Sequence, residues 1–98
     1  LQIDLKNFDE AEDLSAQALE IFPGQPIFYL IRGVTLNNLK EFNKALEILS
    51  FGLDYVIENK KMEADFFEQL AIAYLGLGNS DKARESQDKA DQLNKTIN

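Results

Sequence analysis

The chain has 98 residues, of which 45% are hydrophobic and 28% charged, a balance that fits one folded globular domain and argues against disorder. Seventeen acidic against ten basic residues give a net charge of −7, which repels phosphate backbones and anionic lipid, so no nucleic-acid partner is expected. There is no cysteine and no histidine, which excludes disulfides, thiol nucleophiles, Cys/His zinc sites and a Ser-His-Asp triad; the expectation is a non-enzyme without metal or cofactor.

Residue 1 is Leu, not Met, so the true start and any targeting segment are expected to lie upstream. The compartment, cytoplasmic or periplasmic, stays open, because lacking cysteine is compatible with either. The periodicity is helical throughout, with no alternating run long enough for a strand. A first helix is predicted near Phe8 to Phe22, with Asn7 as N-cap and Glu10 completing a capping box, and Pro23 and Gly24 stop it. Pro26 opens a second helix that runs to about Leu39, because proline is tolerated where the first helical amide is unbonded anyway. Lys40 and Glu41 leave a short turn before a third helix over about Phe42 to Glu58. The fourth covers about Lys61 to Leu77, and the fifth about Ser80 to Asn94 with a frayed polar tail. No apolar run approaches the roughly 18 residues of a membrane span, and no membrane insertion is expected.

Close helix packing needs Ala or Gly where two backbones approach. Gly33, Ala45 and Gly52 are spaced 12 and 7, Ala71, Ala83 and Ala90 repeat those intervals, and Ala11 and Ala18 supply a further 7. Large residues keep step: Tyr29 and Phe67 precede Gly33 and Ala71 by four, Leu36 and Tyr74 follow them by three, and Phe8 and Phe42 precede Ala11 and Ala45 by three. The interval from Ala11 to Ala45 is 34. With the stretches NFDEAEDLSAQALEIFP (Asn7 to Pro23) and AYLGLGNSDKA (Ala73 to Ala83), the chain resembles the tetratricopeptide repeat family, a stack of 34-residue helix-turn-helix units.

The resemblance implies an all-α, right-handed solenoid of antiparallel helix pairs, about five helices in one domain. Its divisions would be a partial first repeat over 1–25, a second over 26–60 and a third, capping repeat over 61–98, a piece of a longer array. Three positions depart from the family pattern: Arg32 where Leu is usual, Ser80 where an aromatic is usual, and Lys95 at the place Pro23 takes in the first unit. The interval from Ala45 to Ala83 is 38, four beyond the period, or about one helical turn. Either the third helix is a turn longer or the linker around Glu58 to Met62 holds the surplus.

Gly76-Leu77-Gly78 could be taken for a phosphate cradle, but a cradle needs a strand before the glycines and a helix starting directly after them. Here a helix precedes, so Gly78 is expected to end it in a left-handed C-cap and Asn79 to begin the next. Asp9, Glu10, Glu12 and Asp13 lack the ladder spacing that wraps calcium, and their place in a first turn suits the helix dipole. Asp81, Glu85 and Asp88 read the same way. The aromatics Tyr29, Phe42, Phe67 and Tyr74 are expected in the core.

In the family the first helix of each unit lines a concave groove. The resemblance therefore implies a groove of Ile27, Leu30, Val34 and Asn37 from the second unit, with Asn38 at its margin, and Asp65, Glu68, Ile72 and Leu75 from the third. Half apolar and half polar or acidic, it suits a protein or peptide ligand with apolar anchors and a basic residue. The competing reading packs Ile27, Leu30 and Ile72 between neighbouring helices. Chaperone tails, which the family holds with Lys, Arg and Asn, are disfavoured because this stripe would meet a carboxylate with like charge. The alternative function is self-association through the open ends of the stack, where Ala11, Leu14, Ala18 and Leu19 form an apolar face.

Overall fold

A computed structural model describes residues 8–97, with the side chains of Phe8 and Asp9 outside that description, as is Asn7, the expected N-cap. Five helices follow one another: α1 (Phe8–Ile21), α2 (Pro26–Asn38), α3 (Phe42–Leu53), α4 (Lys60–Gly76) and α5 (Ser80–Ile97). No strand occurs among the described residues. Each helix packs on the next in sequence, and α2 also meets α4. Contacts that run only to near neighbours make a helical repeat solenoid, in which stacking buries faces that no single unit could cover alone.

The turns follow from local chemistry. Pro26 takes the first position of α2. The Asn59 side-chain oxygen accepts the Met62 amide at 3.0 Å, and that of Asn79 accepts the Lys82 amide at 3.2 Å, satisfying orphan donors at the starts of α4 and α5. Gly78 has φ 79. Its amide donates to the Leu75 carbonyl at 3.0 Å while that of Asn79 donates to Tyr74 at 2.9 Å, a Schellman cap. The Gly-x-Gly stretch is therefore a helix stop, as its setting after a helix suggested.

The small residues sit where helices approach most closely. A Cβ on Gly33 would run into the Leu49 side chain, and one on Gly52 into the Tyr29 Cβ, so α2 and α3 are interlocked through both glycines. Ala45, Leu49, Leu36 and Phe66 are fully buried between α2, α3 and α4, with Leu30 and Leu70 in the same cluster. Tyr29 belongs to this cluster and Phe42, Phe67 and Tyr74 pack against it, which gives the aromatics the core places expected of them. On α5 only Ala83, Ser86 and Ala90 are buried, the narrow stripe of a helix covered on one side.

Two boundaries differ from expectation. Helix α3 stops at Leu53 instead of reaching Glu58. The β-branched pair Val56 and Ile57 is a poor continuation of a helix, Tyr55 turns back to stack on Tyr29 with ring centroids 5.6 Å apart, and Glu58 takes φ 50. The surplus over the repeat period lies in the Glu58 to Met62 region, but as helix: α4 starts with Lys60, a full turn further ahead of Ala71 than Pro26 is ahead of Gly33. One added turn at the start of α4 accounts for the longer interval between Ala45 and Ala83. At the other end α5 runs through Lys95 to Ile97, since no proline stops it.

Arg32, at a position where the resemblance leads one to expect Leu, points at α1 and donates from Nε to the Glu12 carboxylate at 3.0 Å. Its side chain is about three-quarters covered, so the departure replaces an apolar contact between α1 and α2 with a charge-assisted one.

Candidate protein-binding face

Helices α2 and α4 carry the residues that the repeat register assigns to a groove, and the two helices touch. That contact decides which of those residues can meet a partner. Leu30 is only 2% exposed and Asn37 5%, so both belong to the interior and are removed from the groove surface. Leu30 joins the apolar cluster with Phe66 and Leu70. Asn37 donates from Nδ2 to the main-chain oxygen of Gln69 at 2.9 Å and to its side-chain oxygen at 3.0 Å, tying α2 to α4. Its own Oδ1 has no hydrogen-bond partner among the described residues. Gln69 was not singled out from the sequence, because nothing local marks the residue that a distant asparagine will bind.

Ile27 and Val34 are half-buried and lean on the core. On α4 the stripe is more open. Ile72 is 46% exposed and Leu75 65%. Asp65 is half-buried and accepts from Lys61 Nζ at 2.9 Å, a bond that, together with the charge attraction behind it, raises the Lys61 ammonium above its ordinary value. Glu68, also half-buried, accepts from Asn94 Nδ2 of α5 at 3.3 Å. Asn38 is exposed, its amide donating back to the Val34 carbonyl at 2.8 Å. The outward-facing part is thus a short apolar pair on α4 with two carboxylates one and two turns before it.

A second depression of about 450 Å³ lies between α1 and α3, whose backbones stay apart, with α2 as its floor. Leu19 and Glu20 stand on one wall, Glu47 and Phe51 on the other, Tyr29 and Arg32 below. Sequence reasoning missed it. The available signal was the pairing of Glu47 with Phe51 four positions on, a charge and an aromatic sharing the face of α3 away from Ala45 and Leu49.

No cluster of three or more potential metal ligands occurs among the described residues, and none of their helices is long and apolar enough to cross a membrane. No curated protein and no solved structure matches the chain. Residues 64–97 match the family model described as tetratricopeptide repeat. The register that carries Ala45 to Ala83 carries Pro26, the first residue of α2, to Ala64, where the match begins. The match therefore opens at the point of α4 equivalent to the start of α2 and closes with α5. Residues 64–97, most of α4 and all of α5, are thus similar to a tetratricopeptide repeat, and the five helices in succession are consistent with a helical repeat solenoid.

Proposed function

We propose that the chain is a non-catalytic scaffold of about two and a half repeats, which holds a peptide or helix of a partner protein against the groove side of α2 and α4. Repeats of this family generally mediate protein–protein interaction and generally do no chemistry. The observation that carries the reading is the exposure of Ile72 and Leu75, 46% and 65%, side by side on α4. Two large apolar side chains left open on a helix whose other apolar residues are covered suit the anchors of a peptide. Asp65 and Glu68 beside them favour a ligand with a basic residue and disfavour nucleic acid. Such a surface binds one short peptide at roughly micromolar strength, about 8 kcal/mol.

The test is retention of a partner by the parent chain and by an Ile72→Glu, Leu75→Glu variant. Both positions are exposed, so helicity and melting are expected to be unchanged, while a groove ligand is lost. Equal retention by both proteins sinks the groove assignment.

A second reading, association of two stacks end to end, is favoured by Leu14 of α1, which is 56% exposed. It requires a mass that rises with concentration.

A further inference from the structure

We infer that the face of Ile72 and Leu75 seats an amphipathic helix of a partner protein, laid along α4 and α5 at the end of the stack as α4 itself lies along α2 and α3. The inference rests on the reading of that pair as a partner's anchor, and it names the shape of what is anchored. The same face one unit earlier is filled. The register that carries Ala45 to Ala83 carries Leu30 to Glu68, Val34 to Ile72 and Asn37 to Leu75. On α2 these positions are covered by α4: Leu30 and Asn37 are 2% and 5% exposed, Leu30 shares one cluster with Phe66, Leu70 and Ala73, and Asn37 is bonded to Gln69. Phe66, Gln69, Leu70 and Ala73 fall on one face of a helix. On α4 the equivalent positions have nothing over them among the described residues, and Ile72 and Leu75 stay open.

The second wall of the seat differs between the units. Leu46, Leu49, Leu53 and Val56 of α3 lie in or against the apolar cluster that holds α4. At the same register α5 has Arg84, Gln87, Asp91 and Asn94, the first three exposed. A helix seated here meets apolar side chains on α4 and polar ones on α5, the mixed composition of an interface that forms and comes apart, not that of a permanent core. The occupant is therefore a separate helix, with an apolar edge toward Ile72 and Leu75 and a polar flank toward α5. Glu68 stands in the place of Leu30, so the residue set against it is polar or basic, not apolar.

The probe is a capped peptide with the α4 sequence from Lys60 to Gly76 carrying Gln69→Leu, because Leu75 stands in the place of the Asn37 that Gln69 binds. A second peptide adds Ala71→Pro, which breaks the helix and leaves Phe66, Leu70 and Ala73 in place. Each is titrated into the isotope-labelled chain and followed by residue-resolved NMR. The first peptide is expected to bind on the order of 0.1 mM and to shift Ile72 and Leu75 together with Arg84, Gln87 and Asp91. The proline peptide is expected to bind roughly tenfold more weakly, and Ile72→Glu with Leu75→Glu in the chain to weaken the first peptide by a similar factor. Equal binding of the two peptides at Ile72 and Leu75, or shifts that spread to α2 and spare α5, overturn the helix seat while the pair remains a partner's anchor. Absence of a saturable shift at Ile72 and Leu75 also overturns the seat, and retention of a partner by the doubly substituted chain then decides the broader reading separately.

Discussion

Lys40 holds its backbone at φ 62, in the left-handed region that L side chains enter at a cost of about 1–2 kcal/mol. It occupies the register position that Gly78 takes in the next unit and makes the same stop: its amide donates to the Asn37 carbonyl at 3.0 Å and that of Glu41 to Leu36 at 2.9 Å. The cap is therefore formed twice, once with the residue it favours and once without. Lys40→Gly relieves the strain, and its gain is reduced by the greater freedom of glycine in the unfolded chain. We expect a net stabilisation of about 0.5–1 kcal/mol, read as a higher urea midpoint with unchanged slope. A lower midpoint would mean that the lysine stem contributes packing that outweighs the backbone strain. Asn37 shows the same local economy at a second residue. Its Nδ2 is doubly used and its Oδ1 is unpaired, a cost accepted where α2 and α4 must be held in one register.

Among the helices, Tyr29 joins three pieces of chain. Its hydroxyl donates to the Pro23 carbonyl in the turn before α2 at 2.7 Å, and its ring packs against Phe51 at the end of α3 and against Tyr55 just beyond. Burial foremost, then the neighbouring Tyr55 hydroxyl, raises the Tyr29 phenol above its ordinary 10.0. Folding thus favours the neutral phenol. This contribution is fully present below about pH 10 and is lost as pH rises through the higher value in the folded state. Lys61, with its ammonium raised by Asp65, contributes with the same sign but is exposed and screened. In Tyr29→Phe the alkaline fall in stability is expected to be shallower than in the parent, and stability at neutral pH lower by about 1 kcal/mol for the lost hydrogen bond. Chemical denaturation just below and well above pH 10 measures both, and an unchanged alkaline slope would remove Tyr29 as its source.

The two ends of the molecule differ in kind. At α5, Lys89 lies over Phe67 and Lys82 over Tyr74 at 5.7 Å, so lysine stems and charges cover aromatics that would otherwise be open. Apart from its alanines, Leu93 and Ile97, the rest of α5 is polar. At α1 nothing of this kind covers Leu14 among the described residues, and it is 56% exposed. Any self-association is therefore expected through α1. Sedimentation of the chain should show mass rising above 11.1 kDa with concentration, and Leu14→Asp should return it to the monomer; a constant 11.1 kDa for the parent removes end-to-end association.

What could be read without coordinates was whatever rests on local conformation or on a steric rule that repeats. Pro23, Gly24, Pro26 and Gly78 punctuate the helices because their backbones allow little else or unusually much, and the 12-and-7 series of small residues marks where helices interlock because only small side chains fit there, and at Gly33 and Gly52 even a Cβ would collide. The succession of helices follows from those rules, and the same residues carry the resemblance to the repeat family. The sequence did not reveal which neighbour would cover a given side chain. Leu30 and Asn37 share a stripe with Ile72 and Leu75, yet α4 closes over the first two and nothing among the described residues covers the last two. The end of α3 depended on Tyr55 finding Tyr29 of the preceding helix, and the cleft of Glu20, Glu47 and Phe51 exists only because α1 and α3 stand apart over α2. These features arise from contacts distant in sequence, which one-dimensional periodicity does not encode, so the tertiary structure alone decided them.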